Sequence, residues 1–153
     1  VGDLASKKGT RVRYQVTVNV AAASERVWAV LADVEGWPRW TLSKAGVRLL
    51  SEGPVVVGSE AEVRRPKLGP EVWQVTAMEA GRGFEWRSQN PAFTTISTYR
   101  IEPLGADRSR VVLGLQQKGF MAPLLALPYG RLTRRYADME AAGLKRYCEA
   151  QDR

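Results

Sequence analysis

The sequence predicts an α+β fold in which a curved, seven-stranded antiparallel sheet wraps one long C-terminal helix, with two short helices after the first strand. Three observations lead there. Apolar residues alternate with polar ones at a period of two in run after run between Arg11 and Lys118, the mark of half-buried strands. Glycine and proline pairs punctuate these runs at short intervals, which suits hairpins between neighbours. Beyond them the apolar spacing changes to three and four, the signature of one helix face.

In chain order, Val12, Tyr14, Val16, Val18 and Val20 alternate with Arg13, Gln15, Thr17 and Asn19 and define the first strand. Ser24 or a near neighbour is the expected N-cap of a short helix over Glu25–Ala32, which gathers Val27, Val30 and Leu31 on one side. A second short helix or turn covers Val34–Trp40. Six strands are then expected: Ala45–Ser51, Ser59–Arg65, Val72–Ala80, Phe84–Gln89, Thr94–Pro103 and Ser109–Lys118. Between them stand Gly53-Pro54, Gly69-Pro70, Gly81-Arg82-Gly83, Asn90-Pro91 and Gly105-Ala106-Asp107.

The long helix is read from Leu125, Tyr129, Leu132, Tyr136, Met139, Gly143 and Tyr147. Pro123 suits its first turn, and Pro128 followed by Gly130 should kink it or split off a short leading segment. With no repeat or low-complexity run, the expectation is a tail over residues 1–10 and a single domain over 11–151. Whether a leader precedes Val1 stays open.

Composition excludes several kinds of chemistry. There are 153 residues, 44% of them hydrophobic and 25% charged, with one cysteine and no histidine. Serine–histidine and cysteine–histidine catalysis cannot be assembled, nor can the usual zinc ligand sets. No metal and no cofactor is expected. The single cysteine, Cys148, forms no internal disulfide, and nothing requires an oxidising compartment, so a cytoplasmic location is the expectation. Cys148 itself reads as a structural thiol near the helix end, with no histidine to activate it.

Lysine and arginine number 23 against 16 acidic residues, for a net charge of +7. The basic residues are scattered and no nucleic-acid motif accompanies them, so nucleic acid is not an expected partner. The strongest apolar run, Gly119–Tyr129, is far shorter than the ~20 residues that span a bilayer, and no transmembrane segment is expected. Two readings of that run stay open: a helix start that docks on the sheet, or a gate that touches a membrane transiently.

The order strand, two short helices, six strands, long helix resembles the START-like, Bet-v-like superfamily, also called SRPBCC, whose architecture is the helix-grip fold. Local residues place the resemblance in its polyketide cyclase/dehydrase branch. Val27-Trp28 followed by Ala32-Asp33-Val34-Glu35-Gly36-Trp37-Pro38-Arg39-Trp40 is similar to a Val-Trp and Asp-x-x-x-Trp-Pro-x-Trp pattern common there. Val57-Gly58-Ser59, Trp73-Gln74-Val75 and the closing Leu144-Lys145-x-x-x-Glu149 extend it over about residues 20–150.

The resemblance implies a cavity between sheet and long helix. Members of the superfamily include lipid carriers, hormone-binding proteins and polyketide aromatase/cyclases, so the fold alone does not choose among them. Binding or transport of a small hydrophobic ligand (a lipid, a polyketide or another aromatic compound) is the leading expectation, by a monomer or homodimer. The alternative is a cofactor-independent cyclase or dehydrase acting on a bound polyketone. Single-domain cyclases of the branch carry an important arginine on the fourth strand. Here Val72–Met78 contains none and places Met78 near that position, which points away from an enzyme.

Alternation directs Val12, Tyr14, Val16, Val18, Phe84, Trp86, Tyr99, Ile101, Val111, Leu113 and Leu115 inward, toward Leu125, Tyr129, Leu132, Tyr136 and Met139 of the helix. The expected ligand-binding residues are Trp37, Trp40, Arg65, Trp86, Tyr99, Tyr129, Tyr136 and Met139. Catalytic residues stay unassigned. Trp37 and Trp40 read either as a plug at one end of the sheet or as pocket wall. The tyrosine hydroxyls read as ligand donors or as backbone-bonded core groups. Arg65 continues the parity of Ala61 and Val63 and so points to the pocket mouth with Arg64 outside, exposure of both being the plainer alternative.

Overall fold

A computed structural model describes residues 11–66, 68–89, 94–119 and 128–150. Its elements are β1 (Arg11–Val20), α1 (Ser24–Ala32), a 3-10 helix (Val34–Arg39), β2 (Gly46–Leu49), β3 (Glu60–Arg65), β4 (Leu68–Glu79), β5 (Gly83–Gln89), β6 (Thr94–Gly105), β7 (Arg108–Lys118) and α2 (Pro128–Ala150). The strands form one sheet in the order β1-β7-β6-β5-β4-β3-β2, every pair antiparallel. From β2 to β7 each strand lies beside its sequence neighbour. The chain leaves β1 at one edge and starts β2 at the other, with α1 and the 3-10 helix between. This is the helix-grip architecture expected.

Strict alternation sets the inner face. Phe84 and Trp86 of β5, Tyr99 and Ile101 of β6, and Val111 and Leu113 of β7 are all buried, and Phe84↔Tyr99, Ile101↔Val111 and Tyr99↔Leu113 are paired across the strands. A slip of one residue would turn this whole set to solvent. The β4–β5 register shifts between Val75 and Ala77. Thr76, the extra residue there, bonds through its hydroxyl to the Glu85 carboxylate at 2.7 Å. Residues Tyr14, Val16 and Val18 of β1 are half-buried, with α2 packed along that strand.

Three expectations are refined or corrected. Of Ser24 or a neighbour as the cap of α1, the neighbour holds the place: Ala23 is the N-cap, without a side-chain bond, while Ser24 is the first helical residue and its hydroxyl turns to Glu25 at 3.4 Å. Gly69-Pro70 does not separate strands, because β4 begins at Leu68. The pairing skips from Val63↔Glu71 to Arg65↔Leu68, and at this irregularity the missing proline N–H leaves no ladder bond unmade.

The third correction is the phase of the long helix. Its buried residues are Thr133, Tyr136, Glu140, Ala141, Gly143, Leu144 and Cys148, whereas Leu132, Met139 and Tyr147 are only half-buried. The inward stripe contains two polar residues, and a count of apolar side chains alone rotates the face away from them. Pro128 is the first residue of α2, where its missing N–H is tolerated. Pro123, Leu125 and the side chains of Val12 and Tyr129 lie outside the described residues.

Candidate functional site

Between the inner face and α2 lies a cavity of about 20 Å³, room for about one water. Trp73 (β4), Trp86 (β5), Ser97 and Tyr99 (β6), and Leu113 and Leu115 (β7) line it from the sheet. Thr133, Tyr136, Ala137 and Glu140 line it from the helix, Lys44 from just before β2 and Arg65 from the end of β3. The space is thus nearly filled by the protein's own side chains. A broader, open depression lies on the other face of the sheet, where Ala77, Met78 and Val112 stand beside Glu85, Thr98 and Arg100.

One wall is aromatic. Trp37 packs against Trp86 and Tyr99 with centroids 5.2 and 5.1 Å away, and Trp86 meets Trp73 at 5.6 Å and Phe84 at 5.5 Å. Tilted and edge-on arrangements dominate, as the ring quadrupoles favour. Trp37 donates its Nε1 proton to the Leu31 carbonyl at 3.0 Å, so α1 fixes the ring on which the others lean.

The opposite wall is ionic. Lys44 and Glu140 are 6% and 5% exposed and form an ion pair through Nζ and Oε2. The same carboxylate accepts from the Ser43 hydroxyl at 3.0 Å and, on Oε1, from the Tyr99 hydroxyl at 2.9 Å. Lys44 also stands 5.6 Å from the Trp37 ring centroid. Burial pulls the Lys44 ammonium below its ordinary range; the Glu140 charge opposes that shift and nearby Arg65 adds to it. Burial likewise pushes the Tyr99 phenol well above its ordinary value, reinforced by the Glu140 charge and hydrogen bond.

A second, partly buried pair stands at the mouth. Arg65 is ion-paired with Glu71, and its guanidinium lies 5.6 Å from the Trp73 ring centroid and 5.9 Å from that of Tyr136. Tyr136 donates its hydroxyl to the Pro66 carbonyl, tying α2 to the β3–β4 turn. The Trp73 Nε1–H, although buried, has no hydrogen-bond partner among the described residues.

Of the residues expected to bind ligand, the fold brings Arg65, Trp86, Tyr99 and Tyr136 together around the cavity. Parity holds for the arginines, with Arg65 buried and Arg64 exposed. Trp37 and Trp40 are buried against each other and do not line the cavity, and Met139 sits half-buried off its rim. The Tyr129 side chain lies outside the described residues, as does most of the run Gly119–Tyr129. Met78 pairs with Phe84 and packs against the core. β4 contains no arginine, and Arg65 reaches the cavity from the end of β3.

Sequence reasoning missed Lys44, Glu140 and Trp73 as lining residues. Glu140 was within reach: Thr133, Tyr136, Glu140, Leu144 and Cys148 keep a spacing of three, four, four and four, a helix face once polar members are admitted. Lys44 lies in irregular chain and carried no periodic signal. Among the described residues no cluster of acidic or cysteine side chains could hold a metal ion, and no helix is long and apolar enough to cross a membrane.

Comparison with curated protein sequences gives no match. Among solved structures, the chain is similar to the Zhui aromatase/cyclase from Streptomyces sp. R1128, with 21% identity, a TM-score of 0.76, and coverage of 94% of this chain and 96% of that one. A START superfamily protein from Mycobacterium smegmatis gives 20%, 0.75, 91% and 98%. Norcoclaurine synthase from Thalictrum flavum gives 10%, 0.75, 94% and 97%. At these identities the likeness shows the fold alone. The family model for polyketide cyclase/dehydrase and lipid transport matches residues 11–149, and the chain therefore belongs to that family.

Proposed function

We propose that the protein binds a small hydrophobic, oxygen-bearing molecule, of the aromatic or polyketide kind, in the space between the sheet and α2. The observation that carries this reading is the pair of ion pairs, Lys44–Glu140 and Arg65–Glu71, set where the fold would otherwise be filled by apolar side chains. Buried pairs are poor stabilisers, and well-packed hydrophobic replacements are often as stable or more so. Their presence beside Trp73, Trp86 and Tyr136 supplies what a ligand site needs: an apolar wall with a few fixed polar groups.

Because the cavity holds only about one water, a ring-sized ligand must displace something. The aromatic wall is braced by Trp37, so the candidates to move are the side chains at the mouth, Arg65 beside Glu71 and Tyr136 on the Pro66 carbonyl. The test is mass spectrometry under native and denaturing conditions for a retained small molecule, followed by titration with 2-naphthol read as quenching of tryptophan emission. Saturable quenching that disappears in A137W, which fills the cavity from the helix side, is the expected result. Absence of saturable binding, or binding indifferent to A137W, rejects the reading.

Cyclase or dehydrase activity is the second reading. Its support is the Tyr99–Glu140–Lys44 hydrogen-bonded set, whose phenol, carboxylate and ammonium are the groups that general acid–base catalysis requires. Turnover of a polyketone mimic by the wild type, lost in Y99F, would favour it over simple carriage.

A further inference from the structure

We propose that Lys44 captures carbonyl compounds covalently, forming a reversible imine with an aldehyde or ketone that enters the cavity between the sheet and α2. The proposal rests on the ligand-binding reading above and adds a reaction to it. Its basis is placement. Lys44 lines the cavity, is almost wholly buried, and directs Nζ at the carboxylate of Glu140. The described lysine Lys145 is by contrast spent on the outside of α2, donating to Asn19 O at 3.0 Å and to Glu149.

The surroundings suit an amine nucleophile. Lysines become reactive when desolvated or set near a second cation, and Lys44 has both conditions, with Arg65 near enough to weigh against its charge. Glu140 supplies the base, and its carboxylate is held by Ser43 at 3.0 Å and Tyr99 at 2.9 Å, so that it stays in position whether or not it carries the proton.

The step balances without an oxidant or reductant. Glu140 takes a proton from the Lys44 ammonium, and the freed amine attacks the carbonyl carbon. A C–N bond forms as the carbonyl π pair moves to oxygen, and a proton passes from nitrogen to that oxygen to give the carbinolamine. Glu140 returns its proton to the hydroxyl, which leaves as water, and the C=N bond closes. Overall, ammonium plus carbonyl gives iminium plus water; the pair is neutral while Glu140 holds the proton, and the cation facing its carboxylate is restored when the iminium forms. The buried ion pair survives the reaction, so no charge is stranded in a low-dielectric site.

The experiment treats the whole chain with benzaldehyde and cyanoborohydride at neutral pH, which reduces an iminium to a stable secondary amine, and locates adducts by peptide mapping at early times. Lys44, the lysine that lines the cavity and faces Glu140, should be labelled before Lys118 and Lys145, and K44R should lose only that adduct. In parallel, benzyl alcohol, which has the ring but no carbonyl, is titrated against tryptophan emission. Adducts confined to other lysines while benzyl alcohol binds saturably overturn the imine and leave the pocket standing. No Lys44 adduct and no benzyl alcohol binding overturn both.

Discussion

Glu140→Gln isolates what the buried pair contributes. In the wild type, Oε2 accepts from Lys44 and Ser43, and Oε1 accepts from Tyr99. A glutamine can keep its oxygen toward Lys44 and Ser43 and turn its NH2 to the Tyr99 oxygen, so the hydrogen-bond count nearly survives and the charge is what is lost. A buried ammonium without its counterion costs about 3–5 kcal/mol. An independent ceiling comes from deprotonation. Releasing the Lys44 proton at pH 7, from an ordinary value of 10.5, costs about 5 kcal/mol at roughly 1.4 kcal/mol per unit.

The two figures agree, and against a total stability of about 5–15 kcal/mol they predict a severely weakened fold. Urea unfolding followed by tryptophan emission measures it. Without Glu140 the folded state disfavours the Lys44 proton more strongly, so the unfolded chain binds more protons and the stability of E140Q should rise with pH toward 10.5. K44M/E140Q, which removes the stranded charge, should recover most of the loss. The reasoning fails if E140Q loses less than about 1 kcal/mol, the worth of an exposed pair, or if the double variant is no more stable than E140Q.

Two further expectations follow from the same contacts. Gly143→Ala gains about 1 kcal/mol of helix propensity, but its Cβ would stand 1.9 Å from the Trp40 carbonyl oxygen; a net loss of about 1–3 kcal/mol in chemical unfolding is expected, and a net gain refutes the close approach. For Tyr99, whose phenol is raised above 10.0 by burial first and Glu140 second, the folded state keeps a proton that the unfolded chain gives up. Its stabilisation is therefore complete below pH 10 and lost as pH climbs beyond, so Tyr99→Phe should flatten the alkaline limb of a stability–pH curve, and an unchanged limb would contradict it.

The strands were legible because each has one wet face. Val12 to Val20 alternates cleanly, and a two-residue period leaves little choice of face. The pocket was half legible. Trp86, Tyr99 and Tyr136 were found since aromatic side chains in phase with a buried stripe declare themselves, and Arg65 by the parity of Ala61 and Val63. Lys44 and Glu140 escaped because each looks, alone, like a solvated charge, and only the fold brings together positions 96 apart in the chain. The start of β4 was misplaced for a related reason: Pro70 ends a strand only where its N–H is needed, and pairing decides that.

Gly143 gives α2 a pivot. Its bare Cα lets the helix backbone press on the Trp40 carbonyl, and beyond it Lys145 and Glu149 grip Asn19 and Ala21. Toward the other end, Tyr136 lies seven residues away, about 10 Å along the axis, and donates to the Pro66 carbonyl across the cavity mouth. The helix is then a lever with its fulcrum at Gly143 and its load at Tyr136. A tilt of about 10° moves the loaded end by roughly 2 Å on that arm, and the Tyr136–Pro66 bond must give together with the Tyr14–Asp138 bond and the Glu140 contacts nearer the fulcrum.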